Sequence, residues 1–294
     1  MTDTPSVPGD GIPAGLVHAD RAVTVGFRDG GRVVRKRYRD TDASVVFGDM
    51  VRLWASPFGA SGPVPSMPEP LGLEGGDTIV MTAIDGQVVG TQWSLDDSNR
   101  RGPDCAELLA RLHTSGVVVD RRRRSSGVLR SLGRKAARLE GSDWPLAGPW
   151  RDAVRDLGPI GPSDELLVVS HGDFSPRNIL IGADGGFTLI DFDRLQMASP
   201  SRDVEHWGSW CWAAQVLQGA EPDWADTDPF RDAYRRAARA HGAERPDDAG
   251  RADEAAFHRA TSLLRIAEAW TAFRARPAEA ERVIAEARSV ARRR

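Results

Sequence analysis

The segment His171-Gly172-Asp173-Phe174-Ser175-Pro176-Arg177-Asn178 is followed by Ile179-Leu180-Ile181, then Gly182-Ala183-Asp184-Gly185-Gly186, then Phe187-Thr188-Leu189-Ile190 and Asp191-Phe192-Asp193. The apolar run 166–170, LLVVS, leads into it as a short buried-type strand. A glycine-rich turn between two apolar runs predicts a β-hairpin over 179–190. In order, then, come an Asp-x-x-x-x-Asn loop, a hairpin that folds the chain back, and a carboxylate at the end of its second strand. Three oxygen-bearing side chains, those of Asp173, Asn178 and Asp191, are expected to converge.

Phosphoryl transfer calls for that combination: a carboxylate to orient and deprotonate an attacking hydroxyl, and hard oxygen ligands to hold Mg²⁺ against nucleotide phosphates. Asp173 suits the first role, and Asn178 and Asp191 suit the second. The competing reading, in which Asp173 and Asn178 cap a turn and Asp191 ends a strand, leaves the fixed spacing of His171, Asp173, Asn178 and Asp191 without a reason.

These residues resemble the aminoglycoside phosphotransferase and choline kinase family, small-molecule kinases with a protein-kinase-like two-lobed fold. The resemblance is sharp over 171–203 and covers most of the chain. It implies an α+β architecture with a small β-rich N-lobe and a larger, mainly helical C-lobe. It implies Asp173 as catalytic base, Asn178 and Asp191 as Mg²⁺ ligands, and His171 as a residue that shapes the loop. Asp203, in Ser199-Pro200-Ser201-Arg202-Asp203, is implied as a buried support for the loop backbone. A plain alternative is that Ser201 or Asp203 caps the following helix. Lys36 matches the family's strand lysine for the α and β phosphates, and Asp49 is the nearest match to its paired helix acid. Met81 and Ala83 fall where the hinge would meet the adenine edge. The implied cofactors are Mg²⁺ and ATP, with GTP equally open.

The flanking sequence is read as follows. Residues 1–14, rich in Pro, Gly, Thr and Asp, are expected to form a loose tail. Apolar residues on both sides of Arg28-Asp29-Gly30-Gly31 predict a hairpin over 23–38, and residues 44–54 are spaced as a helix. A Pro-rich loop over 57–70 precedes a strand over 78–84, which closes an N-lobe of residues 15–86; the C-lobe occupies 87–294. Residues 104–113, DCAELLARLH, form an amphipathic helix with an acidic start. The basic run Arg121 to Arg124 with Arg130, Arg134, Lys135 and Arg138 reads as a helix with a solvated basic face, or as a phosphate patch. Residues 257–272 and 278–290 are helical in composition and spacing. His113 and His206 are expected to be packed core residues.

No Gly-x-Gly-x-x-Gly or Walker A run covers the phosphates, and no Gly-x-Ser-x-Gly elbow supports a serine hydrolase. Trp207, Trp210, Trp212 and Trp224, interleaved with Glu205, Asp223 and other acids, suit a hydroxylated substrate that is cationic or sugar-like. The same pattern equally suits tryptophans in helix cores and acids on a solvated loop.

Composition narrows the classes. The 294 residues exceed the roughly 150-residue prior for one domain. With 40% hydrophobic and 28% charged residues the chain is ordinary globular material. Thirty-nine Lys and Arg against 42 Asp and Glu give a net charge of -3, so no global positive field favours nucleic acid. Cys105 and Cys211 lack metal-ligand spacing and are expected to be reduced thiols in a cytoplasmic setting. No apolar run approaches the ~20 residues that span a bilayer, and no secretory signal is legible. The expected function is ATP- and Mg²⁺-dependent phosphotransfer to a hydroxyl of a small molecule. The alternative is a catalytically silent, kinase-like nucleotide-binding or regulatory protein.

Overall fold

In the computed structural model, which describes residues 21–39, 41–59, 65–92, 95–158, 166–243, 252–274 and 276–293, Asp29 and Gly30 adopt φ of 50° and 83°. Two successive positive φ values make the primed turn whose twist matches a hairpin, so β1 (Arg21–Arg28) folds back on β2 (Gly31–Tyr38). The expected tail, 1–14, lies outside the described residues.

β2 also pairs with β4 (Thr78–Thr82), which pairs with β3 (Pro70–Glu74), giving an antiparallel sheet in the order β1-β2-β4-β3. The sequence reading missed β3. Its Pro70 and Gly72 depress strand propensity, and a register shift falls between them. Helix α1 (Ala43–Trp54) is capped by Asp42, whose carboxylate accepts the Ser44 N–H at 2.9 Å. The helix buries Val46, Asp49, Met50 and Leu53, a stripe at helical spacing.

Two-residue β5 (Gln87–Val88) precedes helix α2 (Leu95–His113), which begins upstream of the predicted start and runs through Pro103. Proline disfavours the α conformation of its predecessor, yet the helix continues through Pro103. Then come α3 (Ser125–Arg138) and α4 (Ala147–Asp156). The motif segment supplies four short strands. β6 (Val168–Ser170) pairs with β9 (Gln196–Ala198), and β7 (Ile179–Ile181) forms the predicted hairpin with β8 (Phe187–Leu189) and also pairs with β5. Helices α5 (Ser201–Leu217), α6 (Asp228–Ala240), α7 (Ala252–Arg274) and α8 (Pro277–Arg292) complete the chain.

The architecture is mixed α+β, with a small antiparallel sheet in the N-terminal part and a helical C-terminal part. One hydrophobic core joins α1, α2 and α6 to the motif segment, and a second joins α3, α4, α7 and α8. Helix α5 serves both. Val204, Trp207 and Cys211 enter the first core, and Trp212, Ala213 and Val216 enter the second. A helix buried on opposite faces has little amphipathic character, and this one sits directly behind the loop 171–178. Both cysteines are free and buried. No helix among the described residues is long and apolar enough to cross a membrane.

Candidate active site

The loop between β6 and β7 is fixed from behind by Asp203. Its Oδ2 accepts the His171 N–H at 2.8 Å and its Oδ1 accepts the Gly172 N–H at 2.9 Å. Neither Ser201 nor Asp203 caps α5, whose first N–H, that of Ser201, is accepted by Ser199 Oγ at 3.3 Å; the Asp203 carboxylate is directed to the loop rather than to its own helix. His113 Nε2 lies 3.2 Å from Asp203 Oδ2, and its Nδ1 lies 2.7 Å from the Tyr234 hydroxyl. Burial alone would raise the Asp203 pKa. The hydrogen bond and charge of His113, with His171 and Arg202, outweigh it and hold the carboxyl well below its usual range.

Gly172 has φ of 78°, and a Cβ there would stand 2.5 Å from the Arg194 carbonyl oxygen. Only glycine fits that left-handed, closely packed position. The His171 ring donates from Nε2 to the Ile190 carbonyl at 3.0 Å and packs edge-on against Phe192, tying the loop to the end of the hairpin. Asn178 donates from Nδ2 to the Asp173 carbonyl at 2.9 Å, and its own carbonyl accepts the Ile190 N–H at 2.9 Å. These bonds bring Asp173, Asn178 and Asp191 together, as the spacing predicts.

Asp173 Oδ1 meets His206 Nε2 at 2.9 Å and an Arg265 amino group at 3.4 Å. Burial opposes ionisation of Asp173. Arg194, the His206 hydrogen bond and Arg265 overcome it, so the pKa lies well below the ordinary value. Burial lowers the pKa of His206, and Arg265 lowers it further against the pull of Asp173. A neutral imidazole facing a carboxylate must carry its proton on Nε2. His206 is buried as expected, yet it is no mere packing residue: it and Arg265 were missed as neighbours of Asp173. The one available signal for His206 was its position three residues after Asp203, which puts both on one face of α5.

Asp191 takes a left-handed φ of 68°. Lys36 reaches across from β2 to Asp191 Oδ1 (2.5 Å) and Asp193 Oδ2 (2.7 Å), and Tyr38, on the same face of β2, donates to Asp193. Burial opposes charge at both Lys36 and Asp191, but their mutual attraction wins, raising the lysine pKa and lowering that of the acid.

The expected pairing of Lys36 with Asp49 is corrected. Asp49, fully buried on α1, pairs with Arg52 (2.5 Å) and Arg121 (3.3 Å). Its short side chain is met by two longer guanidinium groups, while Lys36 is drawn to the two acids of the hairpin. Arg121 in turn donates to the Asp193 carbonyl at 2.8 Å. Met81 pairs with Val34 in the sheet, and the Ala83 N–H is given to the Arg32 carbonyl at 3.0 Å, prolonging the β2–β4 ladder.

Of the residues read either as contacts for a cationic or sugar-like substrate or as core and loop, most are committed to the fold. Glu205 is buried and paired with Arg231 (3.0 Å) and Arg259 (3.0 Å). Trp207 stacks on Phe230 at 4.6 Å in the core, and Asp223 accepts the Ala225 N–H at 3.0 Å in a helical-turn cap. Trp210 stays half-buried, with the Arg177 guanidinium 5.3 Å from its ring centre.

Among the described residues no group of three or more carboxylates, imidazoles or thiols could hold a metal. A divalent ion here would rest on the Asp191 carboxylate, the Asn178 amide oxygen and the phosphates it accompanies. That sparse, all-oxygen donor set is the one Mg²⁺ ordinarily takes from protein.

Comparison with known proteins gives the arrangement its relatives. The model of the phosphotransferase enzyme family matches residues 13–246. The fold is similar to a choline/ethanolamine kinase family protein from Mesorhizobium loti (TM-score 0.59, 18% identity, 94% of this chain and 86% of that one). It is similar to spectinomycin phosphotransferase in complex with ADP and spectinomycin (TM-score 0.60, 12% identity, 93% and 89%). It is also similar to a choline kinase from Streptococcus pneumoniae (TM-score 0.60, 13% identity, 92% and 89%). No curated protein matches the chain in sequence.

Proposed function

Because the chain belongs to the phosphotransferase enzyme family, whose structurally similar members are small-molecule kinases, we propose that it transfers the γ-phosphoryl group of ATP to a hydroxyl of a small molecule at Asp173, with Mg²⁺ on Asn178 and Asp191. The observation that carries this reading is the convergence of one restrained carboxylate, Asp173, with the amide and carboxylate of Asn178 and Asp191 and with the ammonium of Lys36. When bound, Mg²⁺ supplies charge neutralisation along the β and γ phosphates.

Asp173 holds the hydroxyl through Oδ2, since Oδ1 is taken by His206 and Arg265. As the hydroxyl oxygen bonds to the γ-phosphorus, the bond from phosphorus to the β–γ bridging oxygen breaks and ADP leaves with that electron pair. The hydroxyl proton passes to Asp173 and from there to solvent. A carboxylate with a low pKa is a weak base. It suits a loose transition state, in which the alcohol loses its proton late and alignment contributes more than proton abstraction. Lys36 would meet the α and β phosphates as a point charge, and Met81 on β4 and Ala83 just beyond its end are the residues proposed to flank the adenine. On this reading residues 15–86 form the nucleotide lobe and 87–294 the catalytic lobe.

The test is thermal stability and ATP consumption, measured across aminoglycosides, amino alcohols, sugars and hydroxy acids. Mg²⁺ with ATP should raise Tm, because it binds only the native state. Asp191→Ala should abolish the metal-dependent part of the gain. Asp173→Ala should keep nucleotide binding and lose transfer. Nucleotide binding without consumption for any acceptor would favour the silent, kinase-like alternative.

A further inference from the structure

The surroundings of Gly172 and Asp173 carry an excess of positive charge. Arg202, in the first turn of α5, donates to the Gly172 carbonyl at 3.4 Å. Arg265, from α7, donates to the same carbonyl at 3.2 Å and to Asp173 Oδ1 at 3.4 Å. Arg194 follows Asp193, and its Cβ lies 3.0 Å from where a Gly172 Cβ would stand. Arg123 runs beside β9, its N–H bonded to the Met197 carbonyl at 2.9 Å. The guanidinium groups of Arg202 and Arg265 thus meet at the Gly172 carbonyl beside Asp173, and the charges of Arg194 and Arg123 reach both of them.

Nearby acids are already matched. Asp203 lies behind the loop with its oxygens on two N–H groups and His113, and Lys36 serves Asp191 and Asp193. Among the described residues neither Arg123 nor Arg194 has a carboxylate partner, and both are exposed. The Nε of Arg202 is buried with no acceptor. The mutual repulsion is felt. Burial and Arg194, joined by Arg202 and Arg123, push Arg265 well below its ordinary pKa. Burial, with Arg123 and Arg194 acting against Asp203, draws Arg202 down to about 10. Partly buried like charges are unfavourable until an anion joins them.

We propose that Arg123, Arg194, Arg202 and Arg265 form the acceptor subsite, and that the acceptor alcohol carries an anionic group, a carboxylate or a phosphate ester, held there while its hydroxyl meets Asp173. The proposal rests on the kinase reading of Asp173 and narrows its substrate class. Glu205, Trp207 and Asp223, the residues that suited a cationic or sugar-like substrate, are by contrast engaged within the fold. Guanidinium forks recognise both carboxylates and phosphates bidentately, so the experiment separates the two.

Calorimetry on protein loaded with Mg²⁺ and ADP would compare matched alcohols: glycerate, glycerol 3-phosphate, glycerol and serinol, and gluconate, glucose 6-phosphate, glucose and glucosamine. One or both anionic classes should bind at least about tenfold more tightly than the neutral member, the amine binding weakest, as charge-assisted bonds imply. Arg123→Gln, an exposed substitution, and Arg202→Gln should each cut that ratio by about tenfold. Equal or tighter binding of the amine or neutral alcohol, or no binding of any anion, overturns the proposal and leaves the kinase reading standing. So does an unchanged ratio in both variants with weaker Mg²⁺–ADP binding, which would assign the arginines to the nucleotide. If Mg²⁺ and ADP do not bind the wild-type protein, the kinase reading falls and this proposal falls with it.

Discussion

His206 occupies a place that residue-type reasoning assigns to the core, and its burial agrees; its Nε2–H on Asp173 Oδ1 is what that reasoning lacked. A hydrogen bond to one carboxylate oxygen fixes the plane of the group and leaves the other oxygen toward the substrate. His206→Ala is therefore expected to lower kcat by about 10- to 100-fold, the range found for groups that orient a functional side chain, while KM for ATP changes little. His206→Gln, which keeps an N–H donor, should recover part of the loss. The pH profile separates orientation from mere packing. With its pKa well below the usual range, wild-type Asp173 is ionised from neutrality down past pH 5, so kcat/KM should show no acid limb from it above that point. Loss of the imidazole bond removes one cause of the depression, and an acid limb should move upward in His206→Ala. A profile identical to wild type would assign His206 to packing alone.

Local chemistry made some elements legible and tertiary context hid others. The β1–β2 hairpin could be read because Asp29-Gly30 supplies two positive φ values between alternating strands, and β7–β8 because a glycine turn separates two apolar runs. The convergence of Asp173, Asn178 and Asp191 followed from that hairpin alone. The partner of Lys36 did not, because Asp49 and the hairpin acids compete for one lysine and the distances that settle it arise between elements remote in sequence. Asp203 shows the same limit: a helix-first-turn acid that looks like a cap is spent on a loop 32 residues upstream of it. Arg265, 92 residues from Asp173, left no local trace. Gly172 is the position where the element tolerates no side chain. Gly172→Ala is expected to cost about 1–3 kcal/mol from the left-handed conformation, with the contact against the Arg194 carbonyl adding to it. Urea midpoints at a fixed m-value would measure this. A cost below about 0.5 kcal/mol, the range of neutral surface changes, would mean that the loop relaxes and is not held as described.

At the scale of the whole molecule, buried carboxylates link helices and sheet, and this makes folding sensitive to acid. Glu205 joins α5 to Arg231 on α6 and Arg259 on α7, the last lying 4.1 Å from the ring centre of Trp224. Asp191 and Asp193 join the helical part to Lys36 and Tyr38 of the sheet. Burial alone would raise the pKa values of Glu205, Asp203 and Asp191, but their paired cations and donors depress all three. A carboxyl with a lower pKa folded than unfolded binds fewer protons in the native state. Its stabilisation is complete above the unfolded value of about 4 and is lost as pH falls through the folded one. The urea midpoint should thus hold steady from pH 8 to about 5 and fall steeply below. Glu205→Gln should be less stable at neutral pH, where Arg231 and Arg259 lose their counter-charge. The full loss on breaking a buried pair is about 3–5 kcal/mol, of which the amide retains some through its oxygen. In acid the variant and wild-type curves should draw together, because protonation of Glu205 removes from the wild type what the substitution has already removed. Parallel curves at every pH would mean that Glu205 is uncharged in the folded protein, and the three-helix ion cluster would not be what joins α5, α6 and α7.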